Sequence, residues 1–194
     1  MNVPRIAIFA SGAGSNAKNL IARFRETRKA EVVLVVCNKS GAGAFQVAAD
    51  AHVPALLIDR QSQASPDGNL AAALDSAKVD WIILAGYLWK VPDWLVQKFG
   101  QRIINIHPAL LPAYGGKGMY GHHVHEAVYA AREKYTGITI HRVNEYYDEG
   151  AILFQASVAI DPEDSPADIE RKVRALEQEH FPRVAEQLIT AEQW

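Results

Sequence analysis

The sequence has almost no cysteine, no excess of either charge and no long apolar run, and each absence excludes a class of protein. Cys37 is the only cysteine among 194 residues, which excludes an intramolecular disulfide and a cysteine-based zinc site. The formal net charge is -2, so there is no general attraction to nucleic acid or to an anionic membrane. Any bound phosphate must therefore be held by local groups.

The apolar runs and the first residues of the chain indicate the cellular compartment of the protein. No apolar run is long enough to cross a bilayer, and residues 1–6 lack a basic segment followed by an apolar secretory region. With a single cysteine, this pattern predicts a soluble protein of the cytoplasm. Hydrophobic residues make up 49% of the chain, without internal repeats or long linkers, which predicts one domain over residues 1–194.

Short apolar runs alternate with helical patterns along most of the chain. Strands are predicted at 5–10, 31–37, 55–58, 81–85, 103–107, 135–143 and 152–158. Helices are predicted at 15–24, 42–51, 67–77, 92–99, 121–132 and 165–189, with Ser15-Asn16 and Asp67 as caps and residues 61–68 as a variable surface loop. This alternation favours an α/β fold with a parallel sheet covered by helices.

One strand ends in residues suited to chemistry. Asn105 and His107 lie two positions apart, so both side chains leave the same face of an extended backbone. Pro108 then favours an exit into a loop, which leaves His107 at the carboxyl edge where open α/β sheets bind ligands. A hydrogen-bonded pair without a catalytic role is the alternative.

The turn after the first strand reads Ser11-Gly12-Ala13-Gly14-Ser15-Asn16. Its glycines allow a tight turn, and the helix start that follows offers unpaired amides to an anion. The third glycine of a dinucleotide fingerprint is missing, and Asn38-Lys39 follows the second strand where a ribose-binding acid would be expected. The turn predicts a phosphate site rather than a dinucleotide site, with a purely structural turn as the alternative.

Two further segments are polar or rich in glycine. Residues 137–150 alternate like a strand and run into an acidic loop, and residues 114–125 combine glycines with three histidines. No spacing such as His-Glu-x-x-His is present, so no catalytic metal is predicted. The glycine-rich segment is expected to shape a pocket near His107.

Together these segments resemble the phosphoribosylglycinamide formyltransferase family over nearly the whole chain. The matching positions are Ser11-Gly12-x-Gly14-Ser15-Asn16, Leu84 to Tyr87, Asn105-Ile106-His107-Pro108-x-Leu110-Leu111-Pro112, His123-x-His125, and His141 with Asp148. Related formyltransferases and deformylases share the segment around His107, but this chain lacks room for their additional domains. The resemblance implies a Rossmann-like, mostly parallel open sheet with helices on both faces and an antiparallel element near the carboxyl-terminal part.

The resemblance also implies a reaction and its partners. The formyl group of 10-formyltetrahydrofolate, a co-substrate, would pass to the amine of phosphoribosylglycinamide in purine synthesis, without a metal, nucleic acid or membrane. The family includes monomers and homodimers. His107 would be the catalytic acid, Asn105 the donor to the oxyanion, and Asp148 the carboxylate that keeps His107 protonated and relays a proton.

Binding roles follow by position from the same resemblance. Phosphoribosylglycinamide would be bound by Gly14, Ser15, Asn16, Arg174 and Glu177. Folate would be bound by Leu88, Trp89, Lys90, Val91, Asn105, Asn144, Glu145, Tyr146, Tyr147 and Asp148. Supporting roles would fall to His123, His125 and His141.

The chain departs from the commonest family pattern in three places. The loop from Tyr114 to His123 is longer, Trp89-Lys90 replaces an arginine followed by an aliphatic residue, and residues 61–69 lack a folate-contacting arginine. These departures affect loop closure and the folate tail. Two other functions stay open: hydrolysis of formyltetrahydrofolate by the same residues, and a non-catalytic module that binds a phosphosugar.

Overall fold

Seven strands form one mixed sheet in the computed structural model, which describes residues 3–191. The strands are β1 (Arg5–Ala10), β2 (Glu31–Cys37), β3 (Ala55–Leu57), β4 (Trp81–Leu84), β5 (Ile103–His107), β6 (Tyr135–Arg142) and β7 (Ile152–Ala159). Their order is β3-β2-β1-β4-β5-β6-β7. The first five pair in parallel, whereas β6 is antiparallel to both β5 and β7. The expected mostly parallel sheet with a later antiparallel element is confirmed.

Helices cover both faces of this sheet. They are α1 (Ser15–Thr27), α2 (Gly43–Asp50), α3 (Arg60–Ala64), α4 (Asn69–Ser76), α5 (Asp93–Phe99), α6 (His122–Ala130) and α7 (Pro166–Ala191). Alternate residues of β1 enter different cores, with Ile6 and Ile8 in one and Ala7 and Phe9 in the other. The first core packs under α1, α2, α6 and α7, and the second under α4 and α5. None of these helices is long and apolar enough to cross a membrane.

Two local predictions between β3 and β4 were wrong. Residues 61–68 are not simply a loop, because α3 forms there and the Asp59 carboxylate accepts a hydrogen bond from the Ser62 N–H at 2.7 Å. Asp67 does not cap α4, which begins at Asn69 after Gly68. The other predicted ends lie within three residues of those observed.

The strand order places the site. The strands β1 to β3 are added toward one edge of the sheet, and β4 and β5 are added toward the other. The loops that follow β1 and β4 therefore diverge and leave a crevice at the carboxyl ends of these strands. β5 lies next to β4 and ends at the same edge. Cys37 ends β2 as a buried side chain, and burial raises the pKa of its thiol to about 11, so it is a protonated core residue.

Candidate active site

A cavity of about 740 Å³ opens at the carboxyl edge of β1, β4 and β5. This volume falls within the range of about 300–1,000 Å³ typical of small-molecule sites. Its walls are the turn after β1, the segment after β4, the end of β5, residues 116–121 of the glycine-rich loop that starts at Tyr114, the loop after β6 and one face of α7. The sheet edge and α7 thus enclose a space large enough for two substrates to meet.

The turn after β1 presents the start of α1 to this cavity. Gly14 occupies the cap position with φ 82°, and no side chain caps the helix, so the expected capping by Ser15-Asn16 was wrong. A Cβ on Gly14 would lie 2.7 Å from the Ala44 Cα, whereas one on Gly12 would meet nothing within 4 Å. Packing against α2 therefore requires glycine at 14, and the amides of the first turn stay available to an anion.

Asn16 connects this turn to α7. Its Nδ2 donates to the Glu177 carboxylate at 2.9 Å, while its Oδ1 is buried with no partner among the described residues. Burial raises the pKa of Glu177, against the effect of the bond from Asn16. Arg174 lies one turn earlier in α7 and donates to Glu170 at 2.5 Å. This end of the cavity therefore offers helix amides, a guanidinium and two carboxylates.

Asn105 is held by a histidine of the neighbouring strand. The His141 Nδ1 lies 2.7 Å from the Arg142 carbonyl, which can only accept, so that nitrogen carries the proton. The His141 Nε2 then accepts from the Asn105 Nδ2 at 3.0 Å. This bond uses one N–H of the Asn105 amide and leaves the second to donate to a ligand.

His107 is buried, and both of its ring nitrogens face protein groups. Its Nε2 donates to the Tyr114 carbonyl at 2.8 Å, and its Nδ1 lies 3.6 Å from the Asp148 carboxylate. Burial lowers the pKa of His107, and the charge of Asp148 raises it by less, so the net direction is down. Asp148 thus acts on His107 in the expected direction, toward the imidazolium, but in the free protein desolvation outweighs the ion pair.

Asp148 lies between two histidines. Its carboxylate oxygens are 3.6 Å from the His107 Nδ1 and 3.5 Å from the His141 Nε2, and one of them accepts from the Gly116 N–H at 2.9 Å. Burial alone would raise the pKa of Asp148, but the pKa is lowered overall, and the Gly116 N–H that donates to the carboxylate contributes to that lowering. Its φ of 56° is a strained conformation that aspartate tolerates better than most residues. Asp148 is therefore an ionised group held in place by backbone and ring contacts.

The start of the glycine-rich loop touches both of these residues. The Tyr114 carbonyl bonds His107, and the Gly116 N–H bonds Asp148. A Cβ on Gly115 would lie 2.6 Å from the Leu111 side chain and 3.3 Å from that of Asp148. The backbone at the start of the glycine-rich loop thus orients His107 and Asp148. The spacing of residues in the sequence did not predict these backbone contacts.

The segment after β4 forms the opposite wall. The Leu88 N–H donates to the Ser11 hydroxyl at 2.9 Å, and the Lys90 carbonyl accepts from the Gln63 side chain at 2.7 Å. The Arg60 guanidinium lies over the Trp89 ring, 4.1 Å from its centre. Sequence analysis missed Arg60, which lies one position before the segment found to lack an arginine.

Most of the predicted site residues line this cavity. Those brought together are Gly14, Ser15, Asn16, Leu88, Trp89, Lys90, Val91, Asn105, His107, His125, His141, Asn144, Tyr146, Tyr147, Asp148, Arg174 and Glu177. Glu145 and His123 are exposed and do not line it. The buried His125 Nδ1 has no partner among the described residues, which leaves it available to a ligand.

Comparison with known proteins gives consistent matches. A family model described as formyl transferase matches residues 4–185. A chloroplastic phosphoribosylglycinamide formyltransferase of Arabidopsis thaliana is 41% identical over 91% of this chain and 61% of its own length. The chain thus spans about three fifths of that relative.

Two bacterial relatives are covered almost completely. The phosphoribosylglycinamide formyltransferase of Bacillus subtilis is 35% identical over 95% of this chain and 94% of its own length. The crystal structure of phosphoribosylglycinamide formyltransferase from Bacillus halodurans superposes with a TM-score of 0.88 at 33% identity, covering 97% of both chains. The Bacillus halodurans structure is thus similar to this chain in fold as well as in sequence.

Proposed function

Because the chain belongs to the formyl transferase family, we propose that it transfers the formyl group of 10-formyltetrahydrofolate to the amine of phosphoribosylglycinamide. The products would be formylglycinamide ribonucleotide and tetrahydrofolate. The observation that carries this proposal is the convergence of Asn105, His107 and Asp148 in one cavity, between an uncapped helix start and the 88–91 segment. Bacterial relatives with this activity in their names match almost end to end.

In the first step, the amine nitrogen attacks the formyl carbon and the electron pair of the carbonyl bond moves to oxygen. The second N–H of Asn105, which His141 leaves free, donates to that oxyanion. Such a preorganised donor contributes about 3 kcal/mol to transition-state stabilisation. Asp148 accepts the proton that the amine nitrogen loses, as an ionised carboxylate beside His107 can do.

His107 starts neutral and becomes the acid during the reaction. Negative charge on the formyl oxygen favours the imidazolium, so the proton passes from Asp148 to the His107 Nδ1, relayed by one water across the 3.6 Å separation of these groups. When the tetrahedral intermediate collapses, the bond between the formyl carbon and N10 of the folate breaks and N10 takes up a proton from His107. The proton that the amine loses is thus the one that N10 gains, and the steps need no metal and no covalent enzyme intermediate.

Each substrate has a wall of the cavity suited to it. The phosphate of phosphoribosylglycinamide would bind the amides at 14–16 beside Arg174, and the ribose and amine would face Glu177. The folate would lie along 88–91 and the 144–148 loop, where the Tyr146 N–H bonds the Asn144 side chain at 3.0 Å and fixes the turn. Arg60 on Trp89 supplies a cation at this end in place of the missing arginine.

Acceptor dependence tests the proposal. Purified protein is given 10-formyltetrahydrofolate with and without phosphoribosylglycinamide, and formylated nucleotide and free formate are measured. Formyl transfer that requires the acceptor is expected. Formate release without the acceptor would identify a hydrolase, and tight binding without turnover would identify a non-catalytic module; either result overturns the proposal.

We further propose that the protein works in the cytoplasm as one catalytic unit over residues 1–194, as a monomer or a homodimer. The single buried cysteine suits a reducing compartment. Light scattering on the purified chain would determine the oligomeric state.

A further inference from the structure

A second group of histidines lies outside the reacting centre, at the start of α6. His122, His123 and Glu126 are all exposed, and none of them lines the cavity. One possible ligand atom from each lies within 4.8 Å of those from the other two. The formyl-transfer chemistry proposed above uses none of these three side chains.

The helix brings these side chains together. Glu126 lies three positions after His123 and four after His122, so all three project from one face of the first turns. The His123 Nδ1 is 3.6 Å from the Glu126 carboxylate, and the two histidine ring centres are 4.0 Å apart. Within residues 3–191, none of the three side chains makes a hydrogen bond. Their ligand atoms are therefore close together and make no hydrogen bond to other groups of the described chain.

We propose that His122, His123 and Glu126 bind a divalent transition-metal ion, with Zn²⁺ favoured and water completing its coordination. Bonds of about 2.0–2.2 Å place the ligand atoms of a tetrahedral zinc ion about 3.3–3.6 Å apart. The pair formed by His123 and Glu126 is already near that separation. Rotation of exposed side chains is enough to bring in His122.

The donor set decides which ion fits. Two imidazoles and one carboxylate suit Zn²⁺, Ni²⁺ or Cu²⁺, whereas Mg²⁺ and Ca²⁺ prefer oxygen ligands. The positive end of the α6 dipole opposes a cation here, and the Glu126 charge offsets that effect. The histidines of the cavity should bind a metal ion poorly, because His107 Nε2 and both His141 nitrogens already form hydrogen bonds with protein atoms. Cys37 is buried, and burial keeps its thiol protonated, so it is not a competing ligand.

The test uses untagged full-length protein, titrated with Zn²⁺ in a calorimeter and with Co²⁺ in a spectrophotometer. We expect one ion per chain. The double variant His122→Ala/His123→Ala should weaken binding by at least about 100-fold, since even outer-shell partners of metal ligands are worth about 10–100-fold. Glu126→Gln, which keeps the shape and removes the charge, should weaken binding by about tenfold.

His52→Asn is the matched control. His52 is exposed and has φ 48°, a conformation that asparagine tolerates, so this variant should fold and bind Zn²⁺ like the parent chain. Ring-nitrogen NMR of the unmodified protein gives a readout that needs no variant, because Zn²⁺ should shift the signals of His122 and His123. The proposal is overturned by no saturable binding, by undiminished binding in the double variant, or by shifts at His107 instead. None of these readouts depends on formyl transfer.

Discussion

The chain carries two groups in which histidines lie beside a carboxylate, and they differ in almost every physical respect. In the cavity, His107 and His141 flank Asp148, both rings are buried, and protein atoms engage most of their nitrogens. At the start of α6, His122 and His123 lie beside Glu126 in solvent without hydrogen bonds in the described chain. The same residue types therefore have different chemistry, because burial and fixed hydrogen-bond partners constrain the side chains of the first group only.

Removal of His107 should have the largest effect. His107→Ala deletes the proton carrier, and we expect turnover to fall by about 10³-fold in single-turnover formyl transfer. His52→Asn, at an exposed position that does not line the cavity, should stay within about twofold of the parent, as surface changes usually do. Equal losses in the two variants would show that burial does not distinguish the catalytic histidine from a surface one.

Neutralisation of Asp148 should come next. Asp148→Asn keeps the side-chain shape, can accept the bond from the Gly116 N–H and tolerates a φ of 56°. Without a proton acceptor we expect turnover to fall by about 10²-fold with little change in the KM of either substrate. Asp75→Asn removes an exposed carboxylate paired with Lys98 and serves as the control. A fully active Asp148→Asn variant would contradict the proposed proton path.

The glycine-rich loop offers a sharper comparison between two similar positions. Gly116 and Gly118 have φ 96° and 91°, and a Cβ on either would meet nothing within 4 Å. Alanine at each should therefore cost a similar ~1–3 kcal/mol of unfolding free energy. Only Gly116 bonds Asp148, so we expect Gly116→Ala alone to lower turnover, by about tenfold.

Denaturant melts give the stability of both glycine variants, and steady-state assays give their turnover. Loss of turnover in Gly118→Ala equal to that in Gly116→Ala would mean that loop strain, not the bond to Asp148, orders the site. Unchanged turnover in both would remove the loop from the mechanism.

The smallest expected effect is a shift in the pKa of His107, measured as the midpoint of its NMR titration. Burial holds its pKa below the ordinary value of about 6.5, so its NMR midpoint in the unliganded protein should lie below that value. In Asp148→Asn the midpoint should fall further, because the charge that raises it is gone. A midpoint above about 6.5 would restore the original expectation of a protonated resting state.

The same shift has a consequence for stability. Below about pH 6.5 the unfolded chain binds a proton at this histidine and the native chain does not. The unfolding free energy should therefore decline as the pH falls from about 6.5 toward the folded pKa of His107. Denaturant melts of the parent and of His107→Ala across this range should show a steeper decline in the parent.

Much of the fold was predictable from sequence because its signals are local. β1, β2 and β5 begin and end where their apolar runs do, and the glycine turn before α1 was recognised from its residues. Caps were less predictable. Gly14 caps α1 because packing against Ala44 excludes a side chain there, and such a contact between α1 and α2 has no local signature.

Some site residues were missed for a related reason. Arg60 enters the cavity by stacking on Trp89, which is distant in sequence. The Tyr114 carbonyl and the Gly116 N–H act through the backbone, so their residue types carry no signal. The adjacent histidines and Glu126 do carry a local signal, because positions three and four apart lie on one face of a helix.

The sequence by itself determined which groups are present and roughly where they leave the sheet: an amide and an imidazole at the end of β5, a carboxylate after β6 and an anion-binding turn after β1. Only the tertiary structure decided their states. In the folded chain His107 is buried, and burial lowers its pKa by more than the charge of Asp148 raises it. The packing of β6 beside β5 places His141 where it orients Asn105. The tertiary structure also left His122, His123 and Glu126 in water. Protonation and hydrogen bonding depend on distance and burial, and these are properties of packed elements rather than of residue order.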